Sequence, residues 1–276
     1  MCGKIYSKSF VSSLTKELDE EVKLWRNSDL KELKYPYLLV DVVYIKVREE
    51  NKVLSKACHI AIGINEKGSR EIIGFDISDG ENEYSRSDFF EYLKQRGLSC
   101  VKMLILDAHK GLVKAIKETS INVTWQRCQV HFLRNILSKA PKKNTEEFRE
   151  DIKSLFKIQD IKLARKVKDE IFKKYENEKK YQNSLNVLDE GFEDAFSYLG
   201  NDIIHKRLRT TNCLERLNEE IRRREKVIRI FPNVDSAIRL ISSPSAFGDQ
   251  SSLISMRIGQ HHLNYTLECD NNYCTR

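Results

Sequence analysis

The sequence predicts an α/β fold in which a meander of three antiparallel strands leads into alternating helices and strands and then a long helical region. Three observations predict it. Apolar runs of strand length recur three times between 38 and 78, separated only by short polar turns, which favours antiparallel pairing. A fourth, almost wholly apolar run at 101–107 reads as a central strand covered on both faces. Beyond 133 the apolar period becomes that of amphipathic helices.

The elements follow in order. Residues 8–26 read as a helix, with Phe10, Leu14, Leu18, Val22 and Trp25 at steps of four, four, four and three. Ser7 or Ser9 can cap its start, and Tyr35-Pro36-Tyr37 breaks the pattern. LLVDVVYIKV (38–47), KACHIAIGIN (56–65) and REIIGFDIS (70–78) are the three meander strands, with polar turns at 48–51 and 66–69. SRSDFFEYLKQRG (85–97) has a capping serine, an amphipathic body and a closing glycine, so it is a helix. The strand at 101–107 is followed by a helix at 110–119 and a fifth strand within 122–132 that runs into a helix near its end. The order β-β-β-α-β-α-β is that of the RNase H-like fold; periodicity supplies the order, and the fold name is an association.

Residues 133–205 are rich in Lys and Glu, with a stripe of Phe148, Ile152, Leu155 and Phe156 continued by Leu163, Val167, Ile171 and Phe172. They predict an all-helical stretch of three or four helices. A long helix at 213–231 with a basic second half follows. Only seven charged residues fall in the last 44, and 233–276 shows no clear helical or strand period, so it reads as poorly structured.

Composition narrows the function classes. Of 276 residues, 40% are hydrophobic, enough for a sizeable core, and 48 basic against 41 acidic residues leave a net charge of +7. That modest excess suits a polyanionic partner without requiring one. Seven scattered cysteines with no CxxC pair argue against a disulfide framework and fit a reducing compartment. The start MCGKIYSKSF lacks an apolar signal core, and no apolar run reaches the ~18 residues of a membrane span.

Several residues carry candidate chemistry. Asp41 interrupts an apolar strand, where a carboxylate is disfavoured unless something compensates. It either faces solvent or holds a cation. Asp107 ends the fourth strand, where ligand crevices form in such sheets, although capping the next helix would explain it alone. If the first and fourth strands are neighbours, the two carboxylates converge and need a cation between them. Four acids share the late helix: Glu215, Glu219, Glu220 and Glu225. Periodicity does not choose among them, though Glu215 lies nearest the polar lead-in TTN. Oxygen ligands without a Cys/His cluster point to Mg²⁺ or Mn²⁺. Cys128-Gln-Val-His131 has ligand-like spacing but lacks the two further partners of a zinc site, which favours a structural use. Arg222, Arg223, Arg224, Lys226 and Arg229 place positive charge after Glu215, and His205, Lys206, Arg207 and Arg209 add to it. They are either a solvated helix face or a grip on DNA phosphates.

YPYLLVDVVYIKVRE (35–49), SKACHIAIGIN (55–65), REIIGFDISDGENE (70–83), LILDAHKGLVKAI (104–116), TWQRCQVHFLRNIL (124–137) and TTNCLERLNEEIRR (210–223) occur in this order across about 5–240. Together they resemble the Mutator family of bacterial transposases. The resemblance implies a metal-dependent Asp-Asp-Glu triad of Asp41, Asp107 and Glu215, which cleaves transposon ends and transfers strands with Mg²⁺ or Mn²⁺. It selects Glu215 through the NxxExxN pattern of Asn212 to Asn218, and makes Asn212, Asn218, Cys128 and His131 supporting residues. The spacings of 66 and 108 residues between the triad members agree with the helical insertion.

The resemblance also sets the expected organisation. Residues 1–34 are read as a remnant of a helix-turn-helix DNA-binding region, 35–132 and 206–242 as the two parts of the RNase H-like core, 133–205 as the insertion and 243–276 as an altered tail. The expected partners are double-stranded DNA, at transposon ends and target, and further copies of the chain on that DNA. The expected location is the cytoplasm at the nucleoid, with no membrane. An inactive, truncated fragment that only binds DNA or poisons oligomers is the alternative, and an unrelated RNase H-like nuclease is a third.

Overall fold

The computed structural model describes residues 7–80, 83–107, 123–196, 212–242 and 254–255; within these, the side chains of 8–16, 83, 84, 86, 212–216, 242, 254 and 255 lie outside the description. The chain runs through α1 (Lys8–Arg26), β1 (Tyr37–Glu49), β2 (Lys52–Ile64), β3 (Arg70–Ser78), α2 (Glu83–Gln95), β4 (Met103–Leu106) and β5 (Thr124–Arg127). Then come α3 (Gln129–Lys139), α4 (Glu146–Leu155), α5 (Ile161–Tyr175), a 3₁₀ turn (Lys179–Tyr181), α6 (Gln182–Phe196), α7 (Asn212–Ile228), α8 (Val234–Ser242) and a two-residue strand β6 (Ile254–Ser255). The helix expected at 110–119 and the cluster His205, Lys206, Arg207 and Arg209 lie outside the described residues.

One mixed sheet has the order β5-β4-β1-β2-β3-β6. β1, β2 and β3 are antiparallel neighbours, while β4 runs parallel to β1 and to β5. The meander is as the alternation predicts, but its first hairpin is longer: the ladder continues to Glu49↔Lys52. Polar Lys52 and Ser55 hide this extension from a hydrophobicity reading. The turn allows it because Glu50 and Asn51 both take positive φ, 46° and 64°, the twist a two-residue hairpin needs.

The sheet divides the core. On one face, Leu39, Val43, Ile45, Ile60, Ile62 and Ile105 pack with Trp25, Phe132, Ile136, Leu217, Ile221 and Phe231. The same cluster continues without a break into Phe148, Ile152, Leu155, Ile171, Leu185, Leu188, Phe192 and Phe196 of the helices after β5. On the other face, Leu38, Val40, Ala61, Ile73, Leu104 and Leu106 meet Phe89, Phe90 and Leu93 of α2. Gly97, at φ 93°, ends that helix as the sequence suggests.

Two expectations change. The late helix stops at Ile228 rather than 231, because Arg229 turns to φ 64° and Phe231 joins the edge of β1, its N–H on the Lys46 carbonyl and its carbonyl on the Arg48 N–H. The charge-poor stretch read as unstructured from 233 begins with a helix, α8. Ala237 and Ile241 are buried there, and Arg239 grips the Asp19 carboxylate of α1 through Nε at 2.5 Å and Nη2 at 2.6 Å. Nine residues were too short a window for the period to stand out.

Arg96 ties α1, α2 and β3 together. It is buried and donates to the carbonyls of Ser28, Ile73 and Trp25, and to the hydroxyls of Tyr92 and Ser28. Desolvation lowers its pKa, yet an arginine so placed stays charged. Arg96→Met would orphan buried carbonyls, each costing on the order of 1–3 kcal/mol. A urea titration of Arg96→Met is therefore expected to show a loss of about 3 kcal/mol, and an unchanged midpoint would contradict the staple.

Candidate active site

Asp41 sits on the β1 face that points into the larger core, in step with Leu39 and Val43. It is 8% exposed, and its Oδ1 accepts the Val42 N–H at 2.9 Å. Its Oδ2 accepts from Asn218 Nδ2 of α7 at 2.6 Å. This bond joins residues 177 apart in sequence.

Asp107 follows the last residue of β4 and is exposed. Leu39 pairs with Ile105 in the parallel ladder, so two further steps bring Asp107 level with Asp41. Adjacent strands lie about 4.8 Å apart, and residues at this spacing share a face. Parallel pairing puts both aspartates toward the C-terminal ends of their strands' shared stretch.

α7 lies along β1. Asn218 touches Asp41, and one turn later Arg222 donates from Nη1 to the Tyr44 carbonyl at 2.8 Å. Glu215 is one turn before Asn218, about 4.5 Å along the axis and on the same side of the helix. Its side chain, with those of Asn212 and Cys213, is outside the described residues. Among the other acids of this helix, Glu220 is tied to Arg223 and Arg224, whose bonds hold its carboxyl down at about 2. Glu225 is paired with Arg222, and Glu219 is exposed.

The basic run is divided by the same geometry. Arg224 turns inward, 9% exposed, bonding Glu220 and the Leu240 carbonyl, so it fastens α7 to α8 and is not part of the open surface. Arg222 and Arg223 are exposed but share their charge with Glu225 and Glu220. Lys226 and Arg229 are exposed, with no carboxylate partner among the described residues.

Cys128 and His131 open α3 beside the same carboxylates. Cys128 is buried, and its N–H bonds the Leu106 carbonyl at the end of β4. His131 is half-buried, and its Nδ1 is buried with no hydrogen-bond partner among the described residues; the nearby Cys128 side chain, opposed by burial and helped by Asp41 and Asp107, raises its pKa to about 9. A cation near those aspartates would act against that shift. Among the described residues no three His, Cys, Asp or Glu form a metal-binding group. Asp41 and Asp107 supply two hard oxygen donors of a kind that suits Mg²⁺ or Mn²⁺.

A further residue escaped the sequence reading. Arg127, at the end of β5, lies over the Phe132 ring, 4.3 Å from its centroid. Gly191 of α6 leaves the room: a Cβ there would meet the Arg127 guanidinium and come within 2.6 Å of the Phe132 ring. Burial lowers the Arg127 pKa, and Asp107 is the first of the carboxylates that oppose the shift, ahead of Asp194 and Glu190. Nothing in TWQRCQVHF marks this arginine, since Phe132 becomes its platform only where Gly191 of α6, more than sixty residues later, packs against both.

The family model and the curated relatives agree on one family. The model described as "Transposase, Mutator family" matches residues 1–246. The transposase for insertion sequence element IS256 in transposon Tn4001 of Staphylococcus aureus is 58% identical over 243 residues, covering 88% of this chain and 62% of that protein. The transposase for ISRM5 of Rhizobium meliloti is 38% identical over 242 residues, 87% of this chain and 60% of that one. That for IS1081 of Mycobacterium tuberculosis is 34% identical over 238 residues, 86% and 57%. The chain thus spans about three fifths of the length of these curated relatives. It belongs to the Mutator family of transposases. A distant likeness to a chain of the Drosophila P element transposase strand transfer complex covers 90% of this chain and 87% of that one; with a TM-score of 0.47 and 11% identity it decides nothing further. Among the described residues no helix is long and apolar enough to cross a membrane.

Proposed function

We propose that this chain is the catalytic part of a transposase, an RNase H-like core that cuts and joins DNA strands through Asp41, Asp107 and Glu215. The observation that carries the reading is the meeting of β1, β4 and α7: the parallel register sets Asp107 beside Asp41, and Asn218 brings the Glu215 side of α7 onto Asp41. The sheet order, with the antiparallel meander joined to parallel β4 and β5, supports the RNase H-like assignment.

Asp41 and Asp107, with Glu215 as the third carboxylate, would hold divalent Mg²⁺ or Mn²⁺. Such ions supply activation of the attacking oxygen and stabilisation of the leaving one. Asn218 fixes the Asp41 carboxylate, so its orientation is set before any ligand arrives. In the cleavage step a water oxygen bonds to phosphorus, the bond from phosphorus to the 3′ oxygen breaks, and that oxygen leaves as a 3′-hydroxyl. In strand transfer the freed 3′-hydroxyl attacks a target phosphorus, and the target's own 3′ oxygen departs with the proton.

The test is nicking of supercoiled plasmid by the purified chain in Mg²⁺. We expect nicks in Mg²⁺ or Mn²⁺ and none in EDTA; DNA binding without nicking under either ion would favour the inactive-fragment reading. The domain boundaries, oligomerisation on DNA and a nucleoid location belong to the same proposal.

The open cations give a separate expectation. Duplex binding by Lys226, Arg229 and their neighbours should weaken with salt, the log–log slope being about −0.9 per phosphate neutralised. Replacing Lys226 and Arg229 by Ala is expected to reduce the slope by about 2, with little change in sequence preference. An unchanged slope in fluorescence anisotropy would remove this helix end from the DNA surface.

A further inference from the structure

We infer that Arg127 is a phosphate-binding residue of this site, holding a non-bridging oxygen of the phosphodiester that lies against Asp41 and Asp107. The inference rests on the function proposed above and adds to it a residue outside the carboxylate triad. Arg127 extends from the end of β5, directly beside the end of β4 that leads into Asp107: Leu106 pairs with Arg127 in the parallel ladder.

Three features separate it from an ordinary surface arginine. Its guanidinium is packed over the Phe132 ring, and Gly191 lies against both of them. Its Nε is buried and has no hydrogen-bond partner. It makes no salt bridge among the described residues, although Asp107, Asp194 and Glu190 act on it at longer range. A cation packed against a ring, partly desolvated and not neutralised by contact is costly to keep. Arg96 shows the alternative in this chain, a buried arginine whose donors are spent on backbone carbonyls and hydroxyls. Arg127 retains planar donors at the C-terminal edge of the sheet. A guanidinium matches two oxygens of a phosphate and gains strength in a water-poor site.

The attractive partner is therefore an anion that also tolerates Asp107 nearby. A phosphodiester would satisfy that condition once divalent cations held by Asp41 and Asp107 offset the carboxylate charge, whereas a free carboxylate would not need the cations. Charge on the non-bridging oxygens rises as the attacking oxygen bonds and the 3′ oxygen leaves, so Arg127 acts more on the transition state than on bound DNA.

The experiment uses wild-type chain, Arg127→Gln and Arg127→Lys. Three quantities are measured: thermal midpoint, affinity for a 20-bp random duplex in Ca²⁺, and nicking rate of supercoiled plasmid in Mg²⁺. We expect Arg127→Gln to lower the nicking rate roughly 100-fold or more while duplex affinity changes less than about threefold. Arg127→Lys should recover part of the rate, since it restores charge without the fork. A nicking rate within threefold of wild type in a folded Arg127→Gln chain would overturn the inference. If Arg127→Gln fails to fold, the Arg127 Nε–H resonance of the wild-type chain decides: it should shift when the duplex is added in Ca²⁺, and no shift would overturn the inference. That resonance also separates the two proposals. A wild-type chain that shifts but never nicks keeps the phosphate site and loses the proposed catalysis.

Discussion

Asp41→Asn is expected to abolish metal-dependent nicking, with a loss on the order of 10²–10³-fold or more, while the chain stays folded. The substitution keeps shape and volume, and the Asn oxygen can still accept from Asn218. What it removes is the charge that would hold a divalent ion, and one face of its amide would oppose the Val42 N–H that now donates to Oδ1. That local conflict costs about 1 kcal/mol, too little to unfold a domain. Asp107→Asn should behave alike, with less effect on stability, because Asp107 is exposed at the end of its strand. Glu215→Gln is the discriminating member. Glu220 and Glu225 already spend their charge on Arg223, Arg224 and Arg222, so Glu219 is its competitor on α7. Nicking by each variant, checked against circular dichroism melting, reads the result. Full activity in Asp41→Asn, or loss in Glu219→Gln with none in Glu215→Gln, would defeat the triad.

Much of this candidate site is legible in the sequence alone. Alternating runs from 38 to 78 carry the meander, and an aspartate inside LLVDVVY is conspicuous because a strand facing a core rejects it. The apolar run ending in Asp107 has the same quality. Pairing was less legible. That β4 lies beside β1 follows from a parallel register, and parallel neighbours leave no turn in the sequence to announce them. Helical period does not choose among the four acids of α7; the proposal of Glu215 leans on the family pattern and on the Asn218 contact one turn later. The basic run shows the opposite failure. Five cations within eight residues look equivalent, yet Arg224 faces inward because it falls in step with Leu217 and Ile221. Arg127 was invisible for a third reason: its environment is made by Phe132 and Gly191, and composition near β5 says nothing of α6.

The helices after β5 raise the question of how independent an insertion they are, and Phe192→Ala answers it with a large expected effect. Phe192 is fully buried, stacks on Phe196 at 4.6 Å between centroids, and carries Lys168 over its ring at 5.1 Å. Removing it should cost about 3–5 kcal/mol, the transfer loss plus the cavity left in a packed cluster. The same cluster reaches the sheet without interruption, and Gln126 and Gln129 both donate to the Ala195 carbonyl, at 2.8 and 3.1 Å. These contacts dock α6 on β5 and α3, so the loss should appear as a shift of one cooperative urea transition seen equally by tryptophan fluorescence and circular dichroism. Gly191→Ala is the companion. The added methyl presses on Phe132 and Arg127, and over-packing of this kind costs about 1–3 kcal/mol. It should also slow nicking per folded molecule, because it moves Arg127 beside Asp107, whereas Phe192→Ala should leave that rate close to wild type. Two separate transitions, with Phe192→Ala shifting only one, would mean that the helices fold on their own and that the shared core does not couple them to the carboxylates.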